Sequence, residues 1–309
     1  MKSEPKKLTV AVLGGGPGSE REVSLASARA VMDALEGEVG SVHLVDVHDS
    51  DFSLPAGTDI VFNVIHGTYG EDGELQAELE SRGIAYTGAR EASSRLAFDK
   101  VKSKEVFVRE NVKTPLGEAL SEPYEKPGNI QFPCVVKPPS EGSSVGVHIV
   151  QDAVEWDPAV EDAGHYGSSI LVEDYIKGKE LTVGIVGDQV LPVIHIEPRS
   201  GFYDMKNKYP WLLEDGGTDY HCPADLTQGV TGEVQALAWK AHCSLGVEIY
   251  SRVDLLLNDK NQPYVLELNT IPGMTESSLL PKAAREAGVT FSALCLKIIE
   301  LSLIIHKDV

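Results

Sequence analysis

About the first ninety residues alternate apolar runs with amphipathic segments, and this alternation constrains the fold more than any other feature. Three apolar runs predict strands: Leu8–Leu13, Val42–Val47 and Asp59–Ile65. Two segments predict helices, 19–35 with a capping box of Ser19 and Glu22, and 74–82 closed by Gly83. Strands that are separated by helices form a parallel sheet. The sequence therefore predicts an N-terminal α/β region with a doubly wound parallel sheet.

Two polar residues lie at strand ends of this predicted sheet. Glu20 follows the first strand and His66 ends the third, and such sheets bind ligands at the carboxyl ends of their strands. Gly14 and Gly16 partly match a dinucleotide-binding fingerprint, but the acidic helix start would repel a pyrophosphate. The Glu20 carboxylate instead suits an ammonium group. The alternatives are a helix-dipole partner for Glu20 and a structural role for His66.

From about Ser94 the pattern changes to a helix followed by short strands. A helix is predicted at 94–110, and strands at 134–137, 145–150, 170–175, 180–186 and 190–196. Gly187-Asp188 is a hairpin turn signal between the last two. These elements predict a small α+β domain with an antiparallel sheet. Residues 200–221 lack a clean period and predict a lid, and 231–245 and the C-terminal segment predict helices.

A predicted hairpin near the C-terminus is the strongest indication of chemistry. Its strands are Tyr250–Leu257 and Pro263–Asn269, and Asp259–Gln262 are predicted to form a four-residue turn. This turn predicts the opposite pairs Arg252–Asn269, Val253–Leu268, Asp254–Glu267, Leu255–Leu266 and Leu257–Tyr264. Two carboxylates, an amide and a guanidinium then share one face; carboxylates this close need a cation between them, and hard oxygen ligands suit Mg²⁺. The alternative is a solvated salt-bridge network around Arg252.

Two loops could bind charged groups. Residues 137–146 join two strands, so they form no P-loop, but their glycines and serines allow backbone N–H groups to surround an anion beside Lys137. Lys100 is a second candidate cation. The loop 269–279 could direct the N–H of Gly273 toward an oxyanion and the hydroxyl of Ser278 toward a carboxylate. The alternatives are an ordinary hairpin loop, a surface lysine and a plain turn with a helix cap.

Composition narrows the class of protein. The chain has 27 Lys and Arg against 47 Asp and Glu, a net charge of −20, which argues against a nucleic-acid scaffold. The four cysteines have no zinc-like or CxxC spacing, which predicts reduced thiols in a cytoplasmic protein. No apolar run predicts a membrane segment.

Taken together, these segments resemble the D-alanine–D-alanine ligase family of the ATP-grasp superfamily. The matching runs lie within 15–24, 66–73, 86–88, 99–100, 136–138, 141–146, 202–204, 208–209, 252–254 and 267–275. They follow the order of the family and cover nearly the whole chain.

The resemblance implies an ATP-grasp fold of three domains. These are an N-terminal α/β substrate domain (1–93), a central domain (94–186) and a C-terminal catalytic domain (187–309) with a lid loop at 200–221, the last two clamping ATP. It also implies the reaction ATP + 2 D-alanine → D-alanyl-D-alanine + ADP + phosphate, through a D-alanyl phosphate, for peptidoglycan synthesis. Two Mg²⁺ ions (Mn²⁺ could replace them), a homodimer and a cytoplasmic location follow from the same resemblance.

The resemblance assigns roles by position. Catalytic roles fall to Glu20, Ser143, Tyr209, Arg252 and Gly273. Binding of D-alanine falls to Glu20, His66, Ser278 and Leu279. Binding of ATP falls to Lys100, Lys137, Ser143, Ser144, Glu173, Tyr175, Ile176, Glu180 and Lys208. Binding of metal falls to Asp254, Glu267 and Asn269.

Two other hypotheses remain. A relative that joins D-alanine to D-lactate or D-serine would share nearly all of these residues. A nucleotide-binding regulatory module without turnover is disfavoured, because all the catalytic positions are occupied.

Overall fold

The computed structural model describes residues 5–201, 203, 205–208 and 217–306. Its N-terminal elements are β1 (Thr9–Gly15), α1 (Arg21–Leu35), β2 (Ser41–Val47), β3 (Ile60–Asn63) and α2 (Glu74–Ser81). The strands form a parallel sheet in the order β2-β1-β3. Alternate residues of β1 face opposite ways: Val10 and Val12 pack with α1, and Ala11 and Leu13 pack with α2. The predicted doubly wound parallel sheet is confirmed.

Helix α1 begins one residue later than the predicted capping box requires. Its N-cap is Glu20, whose side chain makes no capping hydrogen bond, so the capping box of Ser19 and Glu22 is wrong. The Glu20 carboxylate instead contacts Ser143, far along the chain. The side chain of Glu20 therefore belongs to the site and does not cap the helix.

The central region begins with two helices, where the sequence predicted a single helix at 94–110. Its elements are α3 (Glu91–Phe98), α4 (Lys100–Arg109), β4 (Gly117–Leu120), β5 (Cys134–Lys137), β6 (His148–Val150), α5 (Trp156–Gly164) and β7 (Ile170–Asp174). The single helix at 94–110 is wrong, because Asp99 adopts an extended backbone and caps α4 by accepting from the N–H groups of Val101 and Lys102. This break makes Lys100 the first residue of α4.

The second sheet is antiparallel, as predicted, with the order β4-β7-β5-β6. Strand β6 begins three residues later than predicted. Ser143, Ser144 and Gly146 have φ angles of 49°, 60° and 65°, and this left-handed backbone does not continue a strand. Residues 138–147 therefore form a long loop between β5 and β6.

The third sheet contains the C-terminal strands. Its elements, with the helices around it, are β8 (Gly178–Val186), β9 (Gln189–Val190), β10 (Ile194–Pro198), α6 (Met205–Lys208), β11 (Thr218–His221), α7 (Gln228–Ser244), β12 (Tyr250–Asn258), β13 (Pro263–Asn269), α8 (Leu279–Glu286) and α9 (Phe291–Ile305). The order is β11-β10-β8-β12-β13, and β9 pairs with β8. The predicted domain boundary at 186/187 falls inside the β8–β9 hairpin, so sheet pairing favours a boundary before β8. The domain ranges stay predictions.

The predicted hairpin register holds for part of its length. Arg252 lies opposite Asn269, and Asp254 lies opposite Glu267. A bulge follows Asp254 and shifts the remaining pairs by one residue, so the predicted pairs Leu255–Leu266 and Leu257–Tyr264 are wrong. Val265 takes the buried core position instead, and Leu266 lines a cavity.

The segment 200–221, predicted to be an irregular lid, contains a short helix and a short strand among its described residues. Residues 205–208 form α6, and 218–221 form β11, which pairs with β10 at the edge of the third sheet. Phe202, Asp204 and Tyr209 lie outside the described residues.

Among the residues that the structure describes, no single helix has the length and apolar composition to cross a membrane. Helices α8 and α9 meet those criteria only as a pair, bent by 104°.

Candidate active site

Two cavities share a wall where the three sheets meet. The larger cavity, about 490 Å³, lies between the second and third sheets and includes side chains of β5, β7, β8, β12 and β13. The smaller chamber, about 110 Å³, lies between the carboxyl end of the first sheet and the loop before α8. Tyr203, Lys208 and Glu267 line both. A cavity of this size suits a nucleotide-sized ligand, and the chamber suits a smaller molecule.

Glu20 enters the smaller chamber and meets the loop between β5 and β6. The hydroxyl of Ser143 donates to Glu20 Oε1. The backbone of Gly142 approaches so closely that a Cβ there would lie 2.6 Å from Glu20 Oε2. The loop is held in turn by Ser144, whose Oγ donates to the carbonyl of Tyr203 over 2.9 Å and accepts from Lys208 Nζ over 3.1 Å. The first and second sheets therefore meet through this carboxylate.

His66 is buried at the other side of the chamber, and its hydrogen bonds define its tautomer. Its Nδ1 lies 3.0 Å from the carbonyl oxygen of Ile271, which can only accept. In the neutral ring Nδ1 therefore carries the proton, and Nε2 accepts from the Ser27 hydroxyl over 3.2 Å. Ser27 Oγ also accepts from the Met274 N–H over 3.4 Å. This chain of bonds links α1 to the loop 270–278.

Two carboxylates act on the charge of His66. Burial lowers its pKa, but Glu71, with Oε1 3.8 Å from Nδ1, and Glu20 outweigh that effect, so the pKa of His66 is raised. Burial raises the pKa of the Glu71 carboxyl. The chamber therefore favours a cationic group near these carboxylates.

The hairpin residues converge as predicted but are buried in a network of their own. Arg252 donates to both oxygens of Asp254, from Nε over 2.9 Å and from Nη2 over 2.6 Å. Asp254 also accepts from Thr182 Oγ1 over 2.6 Å and from Asn269 Nδ2 over 3.1 Å. Burial disfavours the charged guanidinium, yet Asp254 raises the pKa of Arg252 above its ordinary value. The salt-bridge network of the alternative reading thus exists, but it lines the cavities rather than a solvated surface.

Glu267 is charged because lysines surround it. Burial raises its pKa, but Lys100, Lys208 and Lys137 outweigh burial and lower the pKa of Glu267 to about 2. Lys100 Nζ lies 3.1 Å from Glu267 Oε2 and donates to the carbonyl of Glu141 over 2.7 Å. Lys100 is therefore not the surface lysine of the alternative reading.

The far side of the larger cavity contains a second carboxylate–lysine cluster. The oxygens of buried Glu173 lie 2.5 Å from Lys104 Nζ and 2.5 Å from Lys137 Nζ. Burial raises its pKa, but the two lysines outweigh burial, and the pKa of Glu173 is lowered. At Glu180, in contrast, burial outweighs the charges of Lys208 and Arg252 and raises the pKa to about 8.

The loop before α8 closes the smaller chamber. Ser278 Oγ accepts from the Thr275 N–H over 3.1 Å, and a Cβ at Gly273 would lie 2.9 Å from that Oγ. Gly273, Ser278 and Leu279 all line the chamber. The loop therefore brings Gly273 and Ser278 together at the chamber, and their predicted roles toward an oxyanion and a carboxylate stay predictions.

The structure sorts the predicted residues between the two cavities. Those lining the larger cavity are Lys100, Lys137, Ser144, Glu173, Tyr175, Ile176, Glu180, Lys208 and Asp254. Those lining the smaller chamber are Glu20, His66, Ser143, Arg252, Asn269, Gly273, Ser278 and Leu279. Lys208 and Glu267 line both. Ser143, predicted to bind ATP as well as to act in catalysis, is thus on the chamber side. Tyr209 lies outside the described residues.

Four residues of the site have no counterpart in the sequence predictions: Ser27, Glu71, Lys104 and Thr182. Ser27 and Glu71 both contact or flank His66. Glu71 lies within the run 66–73, so that run already contained its signal. Lys104 lies one helical turn after Lys100, a spacing that places both on one face of α4. Ser27 and Thr182 had no local signal.

Comparison with known proteins agrees with this geometry. The family described as D-ala D-ala ligase C-terminus matches residues 105–300, and D-ala D-ala ligase N-terminus matches 47–89. The chain is 44% identical to a D-alanine–D-alanine ligase of Methylacidiphilum infernorum over 297 residues, 95% of each chain. The chain belongs to the D-alanine–D-alanine ligase family.

Solved structures of the family have the same architecture. A Bacillus anthracis D-alanine–D-alanine ligase complexed with ATP has a TM-score of 0.82 and 31% identity, over 97% of this chain and 99% of that one. The VanG D-Ala:D-Ser ligase of Enterococcus faecalis has a TM-score of 0.84 and 27% identity, over 96% of this chain and 99% of that one. The fold therefore accommodates both kinds of named ligase.

Proposed function

We propose that this chain is an ATP-dependent D-alanine–D-alanine ligase. It would join two D-alanine molecules with release of ADP and phosphate, and so supply D-alanyl-D-alanine for peptidoglycan precursors. The observation that carries the proposal is the shared wall of the two cavities, formed by Tyr203, Lys208 and Glu267. A nucleotide in the larger cavity would end where the smaller chamber begins, so its terminal phosphate would meet a carboxylate held in the chamber.

The nucleotide would extend from the second sheet toward the hairpin. Tyr175 and Ile176 would contact the base, with Glu173 and Glu180 near the adenine and the ribose. Lys100, Lys137 and Lys208 would contact the phosphates, since all three line the larger cavity and supply positive charge near Glu267. Ser144 and Lys208, already bonded to one another, would close the loop over the nucleotide.

The first D-alanine would occupy the smaller chamber. Its ammonium group would pair with Glu20, whose carboxylate is positioned by the Ser143 hydroxyl. His66 would lie beside it, and Ser278 and Leu279 would hold the carboxylate of the second D-alanine. The γ-phosphoryl group would pass to the first carboxylate and form an acyl phosphate. The amine of the second molecule would then form the peptide bond and lose a proton as phosphate leaves.

Negative charge develops on oxygen in both steps. Arg252 is fixed by two hydrogen bonds to Asp254, so its remaining donors would face that charge without reorganisation. The Gly273 N–H lies at the other wall of the chamber and would add a second donor. Loss of one donor of this kind typically raises the activation barrier by about 3–4 kcal/mol.

Magnesium fits the donor set of the hairpin. Asp254, Glu267 and Asn269 offer carboxylate and amide oxygens in one patch, connected by the Asn269–Asp254 hydrogen bond, and such hard oxygens are the ligands that Mg²⁺ prefers. When bound there, the metal would neutralise phosphate charge. In this structure Arg252 and Thr182 donate to the Asp254 carboxylate, and Lys100 pairs with Glu267. We include a homodimer and a cytoplasmic location in the proposal because the family resemblance implies them.

The test is a coupled assay of ADP formation with ATP and Mg²⁺, run with and without D-alanine. We expect ADP release only with D-alanine, and D-alanyl-D-alanine as the product. No D-alanine-dependent ADP release would favour the regulatory module without turnover.

The relation to the D-Ala:D-Ser ligase requires a competition experiment. Equal D-alanine, D-serine and D-lactate would be supplied together, and the products separated by mass. Predominant D-alanyl-D-alanine supports the proposal; predominant D-alanyl-D-serine or D-alanyl-D-lactate would assign the chain to the other specificity.

A further inference from the structure

A second group of ligand-type side chains lies on the third sheet, apart from the hairpin carboxylates. In the register of β10 and β11, His195 lies opposite His221, and Glu197 lies opposite Asp219. Alternate residues of a strand share a face, as do directly opposite residues. Four side chains with ligand atoms therefore project from one face of this strand pair.

Three of these four side chains lie close enough to bind one ion. Asp219 is engaged by Arg199, with Oδ1 2.8 Å from Nη2 and Oδ2 3.2 Å from Nε. The ligand atoms of His195, Glu197 and His221 all lie within 4.8 Å of one another. His221 Nε2 lies 2.9 Å from Glu197 Oε2, and the two imidazole rings stack with centroids 5.4 Å apart.

We propose that His195, Glu197 and His221 form a site for a borderline divalent cation of the zinc class. Two imidazoles and one carboxylate are a recurring ligand set for such ions and leave a position for water. Zn²⁺ binds nitrogen at about 2.0–2.1 Å, so the donors must draw closer together. Rotation of the side chains of Glu197 and His221, which are 61% and 48% exposed, achieves this.

The site differs in chemistry from the predicted magnesium site. Asp254, Glu267 and Asn269 offer only oxygen, which favours Mg²⁺, whereas imidazole nitrogen favours zinc-class ions. The thiol of Cys222 does not belong to the set, since Cys222 packs against the apolar core on the other face. On the neighbouring strand β8, Leu181 lies opposite His195, and Lys179 lies two residues before Leu181. The positive charge of Lys179 opposes binding of a cation. We therefore expect moderate affinity.

A bound ion would join the two outermost strands of the third sheet at the rim of the larger cavity. His195 and Glu197 line that cavity, and among the strands that the structure describes β11 is at the edge of the sheet, next to β10. The ion would act as a cross-strand link that stabilises this edge. An ordinary surface pair of His221 with Glu197 would need no second imidazole, and it contributes little to stability.

The experiment is calorimetric titration of the full chain with zinc chloride, without nucleotide because phosphates chelate the ion. We expect one equivalent of zinc to bind, with an affinity at least about tenfold weaker in His221→Ala, because a ligand is lost. His43→Ala, an exposed histidine on β2, is the matched control and should bind as the wild type does. Zinc should also raise the unfolding temperature of the wild type and of His43→Ala but not of His221→Ala.

Three results would overturn the proposal. These are no zinc binding by the wild type, wild-type affinity in His221→Ala, and displacement of zinc by an equal concentration of magnesium. If His221→Ala does not fold, Glu197→Gln replaces it, since Glu197 is exposed and makes no contact in the core. A cobalt-loaded sample then reports the ligands: a thiolate charge-transfer band would assign the ion to a cysteine and contradict the site.

Discussion

The network within the β12–β13 hairpin and the contacts of the smaller chamber differ in how far apart in sequence the partners lie. Within the hairpin, Asp254 is bonded to Arg252, two residues away, and to Asn269, 15 residues away. In the chamber, Ser27 contacts Met274, 247 residues away, and His66 contacts Ile271, 205 residues away. The first set of contacts forms within one hairpin. The second forms only when separate sheets meet.

The larger cavity and the smaller chamber also differ in which charged groups surround their carboxylates. Around the larger cavity two buried carboxylates have fixed cations: Glu267 has Lys100, and Glu173 has Lys104. In the chamber, burial lowers the pKa of His66, but the carboxylates of Glu71 and Glu20 outweigh burial and raise it. Lysines thus compensate Glu267 and Glu173 before a ligand binds, whereas the chamber is suited to receive a ligand's cation.

The largest expected effect is that of Arg252→Met, which tests whether the hairpin contacts carry both stability and catalysis. The substitution leaves Asp254 buried without its cation, so we expect about 3–5 kcal/mol lower free energy of unfolding and about 10²–10³-fold lower kcat. Denaturant unfolding and the ADP assay measure both. Arg109→Met removes an exposed pair with Glu110 and should change little. Equal effects of the two variants would contradict the role of Arg252.

Glu20→Gln tests whether the chamber receives an ammonium group. We expect kcat/KM for D-alanine to fall about 10- to 100-fold, because a charge-assisted hydrogen bond becomes a neutral one, while the KM for ATP stays nearly constant. The neighbouring exposed residue provides the control Glu22→Gln. Unchanged D-alanine kinetics in Glu20→Gln would remove Glu20 from the site.

Ser27→Ala tests the long-range contacts of the chamber. It removes the hydroxyl that donates to His66 Nε2 and accepts from Met274, so we expect about 3- to 10-fold lower kcat and a shifted acidic limb of the pH–rate profile. Ser302→Ala, also at a buried serine but within α9, is the control for simple loss of a buried hydroxyl. A loss of stability equal in both, with kinetics unchanged, would show that Ser27 is only structural.

A last prediction concerns Glu180 and the pH dependence of stability. Burial raises its pKa to about 8 in the folded chain, from an ordinary 4.5, so the folded state binds the extra proton and loses stability as pH rises through this window. Glu180→Gln should therefore gain stability relative to the wild type between pH 4.5 and 8. Thermal unfolding across that range measures the difference, with exposed Glu118→Gln as the control. A constant difference would contradict the raised pKa.

Local patterns predicted many of the elements and the convergence of the hairpin side chains. The alternation in the first ninety residues predicted the parallel sheet, and the hairpin predicted that Arg252, Asp254, Glu267 and Asn269 converge. The errors arose where a single residue changed a local rule. Asp99 interrupts a helix by capping the next one, and a bulge after Asp254 shifts the hairpin and brings Leu266 to the cavity. Such choices depend on what each side chain meets across the sheets.

The sequence by itself determined which residue types stand at strand ends and loops, because apolar period and turn chemistry act over a few residues. Only the tertiary structure decided that Glu20 turns away from its helix to meet Ser143, and that Ser27 joins His66 to Met274. It also brought two histidines side by side at the edge of the third sheet. These contacts join segments that no local pattern relates, so they form only when burial of the apolar faces brings the sheets together.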